Sequence, residues 1–527
     1  MPVIHYISIF FIFYIFYIFY IFYIFYIYFS RIILFYINNI MDTQKSFQER
    51  ELEILRKAID KAGERAGKKL VKAPEVKKLI SIVENFLKTK QLICYGGTAV
   101  NNILPEQDKF YNKNLEIPDY DFFSPNALND AKELANIYFN NGYEEVEAKS
   151  GVHTGTFKVF VNYIPVADIT FLNKKIFKVL KKESIKINNI YYSPPNYLRM
   201  AMYLELSRPD GDLTRWEKIL KRLILLNKNY PLIGQACNNQ DFMRNYEGSI
   251  QDQDDIYEIV KAGFIHQGLI FFGGYASTLY GKYMPKHQRK VLDTIPDFDL
   301  LSEDPLSSVT IAKEQLEQNG YTNVKIKHHN AIGEIVPIHY ELIVNKDTIA
   351  FIYEPIACHS YNTINLQGKI IKIASIDTML SFYLAFLYAN KPYYDFNRLL
   401  CMAEYLFKVQ AKNRLQQKGL LRRFSINCYG KQATLEDIRG KKSQKYMELK
   451  NNKNSKEYEF NFLRYIPNEI KNKTKNKTEN KTENKTKNKT KFKKDRISRK
   501  SRKSRKSRKS KNSRKFQNSR KSKKSRR

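Results

Sequence analysis

Two copies of one eight-residue stretch decide the fold of this chain. Ile117-Pro-Asp119-Tyr-Asp121-Phe-Phe-Ser124 recurs as Ile295-Pro-Asp297-Phe-Asp299-Leu-Leu-Ser302. Upstream, Tyr95-Gly-Gly-Thr-Ala99 recurs as Phe272-Gly-Gly-Tyr-Ala276, and downstream the sequence Asn-Gly-Tyr occurs at 141–143 and at 319–321. The offset is 177 residues at the glycines and 178 at the other two blocks. Matched blocks at nearly one offset predict two copies of one α/β unit in tandem.

Each copy combines a glycine pair with an Asp-x-Asp motif. The apolar run Leu92–Tyr95 ends in Gly96-Gly97, which predicts a strand, a turn and then a helix whose first amides favour anions. Asp119 and Asp121 are two residues apart, so on a strand they project side by side. Two such carboxylates repel each other unless a cation lies between them, and a pair of magnesium ions that clamps a phosphoryl group needs this arrangement. A solvated strand end is the alternative interpretation.

A third carboxylate, Asp168, lies inside the apolar run 159–169. Because burying a lone charge is costly, either metal ligation or a salt bridge would explain it, and metal ligation is favoured by the two preceding motifs.

The second copy leaves two alternatives open. Pairing Val161-Asn162 with Val344-Asn345 puts Phe351 at the position of Asp168, whereas the offset of the earlier blocks puts Asp347 nearly there.

The order of these motifs resembles the polymerase-beta-like nucleotidyltransferase superfamily. One branch is closely similar: the catalytic subunit of poly(A) polymerase from poxviruses and large amoeba-infecting DNA viruses. The most specific stretch is Tyr191-Tyr-Ser-Pro-Pro195 followed by Tyr197-Leu-Arg-Met-Ala-Met-Tyr-Leu-Glu-Leu-Ser-Arg-Pro-Asp-Gly-Asp-Leu-Thr-Arg-Trp-Glu-Lys218. The resemblance covers roughly residues 41–460.

This resemblance implies adenylyl transfer from ATP to an RNA 3′ end with two Mg²⁺ or Mn²⁺ ions. Asp119 and Asp121 would hold both metals and the nucleotide phosphates, and Asp168 would hold the metal nearer the RNA 3′-hydroxyl. Gly96, Gly97 and Thr98 would cradle the triphosphate, with Thr98 where related enzymes usually have Ser. It also implies that the second copy is structural.

Basic side chains are frequent after Asp168, and they would neutralise triphosphate or RNA backbone charge. We assign Arg215 and Lys218 to nucleotide binding; an ordinary helix face is the alternative, since leucines recur at helical spacing. The members of this group are Arg199, Arg208, Arg215, Lys218, Lys221 and Arg222.

Charge is concentrated at one end of the 527 residues. Lys and Arg number 90 against 53 Asp and Glu, a net charge of +37, and residues 471–527 hold 29 basic and 3 acidic side chains. Asn-Lys-Thr and Ser-Arg-Lys repeats there bury no apolar surface, so we expect a disordered tail that contacts RNA or DNA phosphates. At the other end, the Ile-Phe-Tyr repeats within 1–40 predict an upstream extension before a start at Met41, with a membrane anchor as the less favoured alternative.

The five cysteines are odd in number and contain no Cys-x-x-Cys pair, so we expect no disulfide framework and no thiolate zinc site, in a reducing setting.

The sequence thus predicts an α/β (α+β) chain of two tandem nucleotidyltransferase-like units with mixed β-sheets and packed helices. The predicted ranges are a leader (1–40), a catalytic unit (41–250), a structural unit (251–460) and a disordered basic tail (461–527).

The predicted function is template-independent poly(A) addition to viral messages. The alternatives are a nucleotidyltransferase of other base or acceptor, or a catalytically silent RNA-binding scaffold. We expect a homodimer, as the resemblance to giant-virus members implies, with a methyltransferase-like processivity subunit as the alternative partner. We expect the protein to act in the host cytoplasm, in the viral factory; packaging in the virion is a further expectation.

Overall fold

The computed structural model of this chain describes residues 51–52, 54–58, 61, 74–111, 118–235, 237, 248, 250–286 and 298–467. The chain divides into two compact units, one of residues 1–77 with 112–117 and one of residues 78–111 with 118–527. The predictions for the leader, for most of the tail and for Asp297 lie outside the described residues. In the part of the chain that is described, no helix is long and apolar enough to cross a membrane.

The second unit contains two mixed eight-stranded sheets. The strands of the first sheet are β1 Ile93–Cys94, β2 Asp121–Ser124, β3 Val146–Ser150, β4 Thr156–Val161, β5 Ile164–Phe171, β6 Ile185–Ile187, β7 Ile190–Tyr192 and, from the far end of the fold, β16 Arg464–Tyr465. The strands of the second sheet are β8 Ile270–Phe272, β9 Phe298–Leu301, β10 Val324–His329, β11 His339–Val344, β12 Asp347–Tyr353, β13 His359–Leu366, β14 Lys369–Ala374 and β15 Cys428–Tyr429.

Helices connect and cover these strands. They are α1 Pro74–Lys90, which begins in the first unit, α2 Gly96–Ile103, α3 Ala127–Asn140, α4 Lys174–Glu183, α5 Pro195–Leu206, α6 Trp216–Asn229, α7 Ile250–His266, α8 Gly273–Gly281, α9 Pro305–Gln318, α10 Ile376–Phe386, α11 Phe396–Lys412, α12 Leu435–Leu449 and α13 Lys456–Phe462.

The two sheets share one topology. Their strand orders are β16-β3-β4-β5-β2-β1-β7-β6 and β10-β11-β12-β9-β8-β14-β13-β15, so seven consecutive positions correspond. In each, the strand that carries the last aspartate of the motif (Asp121 on β2, Asp299 on β9) pairs parallel with the long strand on one side and antiparallel with the strand before the glycines on the other. The prediction of two tandem units with mixed sheets is therefore confirmed, while the predicted domain boundaries stay predictions.

Alternation along β4 shows why these segments form half-buried strands. Phe157, Val159 and Val161 are fully buried, whereas Lys158 and Phe160 between them are partly exposed. The strand then turns into β5 through Asn162 and Tyr163, both with positive φ (49° and 65°), which is the backbone twist that a tight hairpin requires. One face of the sheet is thus fixed towards the core and the other towards solvent.

The two halves pack through corresponding helices. α5 lies against α10, and the rings of Tyr197 and Tyr388 meet edge to face at 5.2 Å between centroids. The amide of Ser360 donates to the Ser207 carbonyl at 2.8 Å, which joins the second sheet to the end of α5. The buried side chains of both halves consequently form one continuous core.

The end of the described chain returns to the first sheet. Phe460 packs edge to face on Phe157 at 5.5 Å, and the Lys442 ammonium donates to the Gly151 carbonyl at 2.6 Å. β16 then pairs antiparallel with β3. Segments that the sequence prediction assigned to the second unit and to the tail therefore complete the first sheet, and the folded chain continues to residue 467.

The prediction that the cysteines form no disulfides is wrong for this structure. Cys237 pairs with Cys401, with Cα atoms 5.3 Å apart, and Cys358 pairs with Cys428, with Cα atoms 5.2 Å apart. Only Cys94 lacks a disulfide partner; it is buried, and burial raises its pKa well above the usual range. The pairs are 164 and 70 residues apart in sequence, so no local spacing could reveal them.

Candidate active site

Strand register brings the three predicted carboxylates together. Asp121 on β2 lies directly opposite Asp168 on the parallel strand β5, and Asp119 precedes Asp121 by two residues. The Asp168 amide donates to the Tyr120 carbonyl at 3.0 Å, so the backbone between the two Asp-x-Asp residues is tied to β5. Asp119 is exposed and Asp121 is half-buried, so the cluster opens to solvent on one side.

The electrostatics of this cluster favour a bound cation. The pKa of Asp121 is raised to about 7, first by burial and then by the negative charges of Asp119 and Asp168. The pKa of Asp119 is also raised, by desolvation and then by Asp168. Because hard divalent cations prefer carboxylate oxygens, an ion bound among these three groups would relieve their repulsion. The donor set therefore fits Mg²⁺ or Mn²⁺.

Lys158 is a member of this cluster that the sequence analysis missed. It lies directly opposite Asp168 on β4, and its ammonium forms an ion pair with the Asp168 carboxylate. Its charge also opposes the raised pKa values of Asp119 and Asp121. The salt-bridge alternative for Asp168 thus describes its contacts in this structure. The sequence pattern that could have revealed Lys158 is the alternation of buried and exposed residues along β4, which sets Lys158 on the solvent face.

The glycine turn lies directly against the carboxylates. Gly96 has φ +73°, and a Cβ there would lie 2.7 Å from the Asp121 carboxylate oxygen Oδ2. A Cβ on Gly97 would lie 2.6 Å from the Tyr111 hydroxyl. The Thr98 hydroxyl donates to the Asp119 carbonyl at 2.6 Å, which links α2 to the Asp-x-Asp segment. The N-terminus of α2, where unpaired amides favour anions, is thereby held beside the candidate metal ligands.

Two of the six predicted basic residues act on the carboxylates. Arg215 lowers the raised pKa of Asp121, and Lys218 lowers that of Asp119, so their charges face the cluster. Arg215 is 55% exposed and lies 3.5 Å from Glu205. These two are the ones assigned to nucleotide binding from the sequence.

The other basic residues have partners within the fold. Arg199 is fully buried and donates to Asn227 at 2.7 Å, as well as to Asn196 and the Tyr230 carbonyl. It supports the packing of α5 on α6 and, because it is fully buried, has no surface that RNA could reach. The remaining contacts are Lys221 with Glu217, and Arg222 with the Tyr111 hydroxyl and the Phe110 ring. The pKa of His359 is lowered by burial and then by the charge of Arg208, so Arg208 faces the interior of the fold.

The second copy differs at the position of the third acid. Phe351 on β12 lies directly opposite Asp299 on β9, as Asp168 lies opposite Asp121. Asp347 pairs with Val344 at the start of β12, four residues earlier. Of the two alignments left open by the sequence, the one that places Phe351 at the Asp168 position is correct. Glu341 occupies the position of Lys158, opposite Phe351.

Residues 81–212 match the family described as "Poly(A) polymerase catalytic subunit", and that range contains the glycine turn and all three carboxylates. The family resemblance predicted from the sequence is thus confirmed over this segment.

Viral relatives carry the same designation. Over 162 residues the chain is 31% identical to the "Putative poly(A) polymerase catalytic subunit" of Acanthamoeba polyphaga mimivirus, a match that covers 30% of this chain and 27% of that protein. The protein of the same designation from African swine fever virus (strain Badajoz 1971 Vero-adapted) is 31% identical over 173 residues, covering 32% and 36%. The segment of this chain that matches therefore spans only about a quarter to a third of the length of these relatives.

The fold is also similar to a solved structure, the crystal structure of the Megavirus polyadenylate synthase. The TM-score is 0.68 at 20% identity, and the superposition covers 81% of this chain and 87% of the other. The likeness extends far beyond residues 81–212, and at this identity it concerns the fold.

Proposed function

We propose that this chain is a polynucleotide adenylyltransferase, which transfers AMP from ATP to the 3′-hydroxyl of RNA without a template. The observation that carries the proposal is the register of Asp121 with Asp168, next to a glycine turn that has no room for a Cβ. The similarity to poly(A) polymerase catalytic subunits over the same residues supports the choice of reaction.

In the proposed reaction, the RNA 3′-oxygen attacks the α-phosphorus of ATP. A new 3′-oxygen–phosphorus bond forms, the bond to the bridging oxygen breaks, and pyrophosphate leaves with the electron pair, while the 3′-hydroxyl proton is lost. Bound divalent cations would stabilise the charge on the phosphates and lower the pKa of the 3′-hydroxyl. Asp119, Asp121 and Asp168 would hold them.

Other residues of the chain position the reactants. The amides of Gly96 and Gly97 at the start of α2 would bind phosphate oxygens, and Arg215 and Lys218 would neutralise triphosphate charge. Thr98 supports this turn through its bond to the Asp119 carbonyl. The chain's contribution is thus mainly orientation and charge stabilisation, with no covalent enzyme intermediate.

Primer extension by the full chain tests the proposal. A short RNA with a free 3′-hydroxyl is incubated with Mg²⁺ or Mn²⁺ and each NTP separately. We expect ladders with ATP only, lost in Asp121→Asn and Asp168→Asn and retained in Asp299→Asn of the second copy. Extension with another NTP would instead favour a transferase of different base specificity. RNA binding without extension by any NTP would favour the silent scaffold.

The partners and setting are part of the proposal. We propose RNA as the acceptor, a homodimer rather than a complex with a separate processivity subunit, and action in the host cytoplasm. Light scattering of the purified full chain tests the dimer, and a monomer that extends primers processively would contradict it.

A further inference from the structure

We infer that a row of three basic side chains across the first sheet forms the track for the backbone phosphates of single-stranded RNA as its 3′ end reaches Asp168. The row, called here the basic row, consists of Lys158, Lys149 and Arg464. The inference rests on the proposed function and adds to it the path of the acceptor strand.

Register aligns the basic row with the carboxylates. Lys158 on β4 lies opposite Asp168, Lys149 on β3 lies opposite Lys158, and Arg464 on β16 lies opposite Lys149. Directly paired residues project from the same face of a sheet. With neighbouring strands about 4.8 Å apart, the row extends roughly 14 Å from Asp168 to the sheet edge.

Exposure increases along this row. The side chains of Lys158, Lys149 and Arg464 are 38%, 45% and 76% exposed. On the opposite face, Ala148 and Val159 are fully buried in the core. The basic side chains therefore reach solvent on the face where the carboxylate cluster opens.

The charges near the edge are only partly neutralised within the chain. In the part of the chain that the structure describes, Glu147 is the acid that contacts both Lys149 (3.1 Å) and Arg464 (3.5 Å). Two cations that share one partly exposed carboxylate keep a positive surplus, which suits a polyanion.

An aromatic ring lies on the same face. The Phe160 side chain is partly exposed, and the Lys149 ammonium is 4.2 Å from its ring centroid. Proteins that bind single strands combine a charged path for the backbone with rings on which bases stack. The combination favours unpaired RNA over an acidic protein segment.

The second copy supplies an internal comparison. At the positions of Asp168, Lys158 and Lys149 it has Phe351, Glu341 and Lys327. Glu341 is nearly buried and accepts from Thr348 at 2.6 Å. The run of basic residues therefore occurs in the copy that keeps the third carboxylate and is interrupted in the copy that lacks it.

The sequence continues the same chemistry beyond β16. Residues 471–527, which begin six positions after Tyr465, hold 29 basic and 3 acidic side chains. The sequence therefore adds further positive charge after the last strand of the basic row.

RNA binding as a function of salt tests the track. The full chain is titrated into a 5′-labelled single-stranded RNA oligonucleotide with a free 3′-hydroxyl, without ATP, and the affinity is followed by fluorescence anisotropy from low to moderate salt. Each of Lys149→Ala and Arg464→Gln should lower the slope of log affinity against log salt by about 0.7, and the double variant by about 1.4, because each removes one phosphate contact. Lys327→Ala, at the position of Lys149 in the second sheet, should leave the slope unchanged.

An unchanged slope in the double variant, or an equal loss in Lys327→Ala, would overturn the inference. Thermal melting of each variant is measured alongside, so that loss of β16 is not mistaken for loss of a phosphate contact. An acidic peptide that competes with the RNA and loses affinity to the same extent in Lys149→Ala would also overturn it, in favour of a protein partner.

Primer length gives a second readout. At roughly 3.4 Å per stacked nucleotide, the row spans about four nucleotides. Arg464→Gln should therefore raise the KM for primers longer than about four nucleotides and leave shorter primers unaffected. A rise independent of length would contradict the track. If the wild-type chain extends no primer, the proposed function fails, while the binding slopes still report on the basic row.

Discussion

Replacing Gly96 by alanine perturbs the backbone and the candidate metal site at the same point. Its φ of +73° belongs to the left-handed region, which costs a residue with a Cβ about 1–2 kcal/mol. The new methyl group would lie 2.7 Å from Asp121 Oδ2, whereas ordinary contact begins at 3.4 Å. The carboxylate would therefore have to move by about 0.7 Å.

A shift of this size is large for a reaction that depends on positioning. Because misplacement by about 1 Å can reduce a rate by roughly a hundredfold, we expect Gly96→Ala to lower kcat/KM by about 10- to 100-fold. Its free energy of unfolding should fall by only about 1–2 kcal/mol. The loss of activity should thus exceed anything explained by unfolding.

Gly273→Ala is the matched control. Gly273 has φ +72°, and a Cβ there would meet the Asp299 carboxylate in the same way. Urea denaturation should show at least as large a loss of stability, since Asp299 is buried, while primer extension at a temperature where both variants are folded should stay near the wild-type rate. If Gly273→Ala loses as much activity as Gly96→Ala, or if Gly96→Ala keeps full activity, the assignment of the active copy is refuted.

Two further predictions concern pH and the disulfides. Between about pH 4 and 7, Asp121 keeps a proton in the folded chain that it has lost in the unfolded chain. Without bound metal, the free energy of unfolding should therefore fall as the pH rises through this window, and Asp121 should account for at most about 4 kcal/mol of that fall. Urea titrations of the wild type and Asp121→Asn at both ends of the window should show this difference, and saturating Mg²⁺ should reduce it; equal slopes in both proteins would contradict the raised pKa. Under non-reducing denaturing conditions, alkylation and mass spectrometry should label Cys94 alone, and loss of the Cys358–Cys428 link, which spans 70 residues, should cost about 4 kcal/mol. Labelling of all five cysteines would contradict the pairing.

The repeated blocks were sufficient to predict the doubled α/β architecture. Asp-x-Asp is a local pattern that predicted neighbouring carboxylates at Asp119 and Asp121. The charge of Asp119 does raise the pKa of Asp121, although β2 begins only at Asp121. The glycine pair is a local mark of the turn into α2, where Gly96 has a positive φ, although the close approach of Gly96 to Asp121 is a contact with another segment. Local patterns were thus enough to single out Asp119, Asp121 and the glycine turn as parts of the candidate site.

The features that the sequence did not reveal depend on strand register or on contacts between distant segments. The contact of Lys158 with Asp168 depends on β4–β5 register, and β16 reaches β3 from more than three hundred residues away. Cys237 and Cys401 are joined across 164 residues. No motif spacing encodes such pairings, because they follow from how the whole sheet and its covering helices assemble.

The replacement of the third acid, Asp168, by Phe351 in the second copy can be recognised from strand register but not from the sequence offset. Five additional residues between β10 and β11 change the offset from 178 (Lys149 to Lys327) to 183 (Lys158 to Glu341). The earlier offset therefore brings Asp347 nearly to the position of Asp168, whereas strand pairing sets Phe351 there. The opposite position changes with it: Lys158 faces Asp168 in the first sheet, whereas Glu341 faces Phe351 in the second. An aspartate at 351 would lie beside Glu341 among aromatic rings, where two like charges repel strongly. The acid and its lysine therefore belong together, and the second copy could regain a third ligand only by changing both positions.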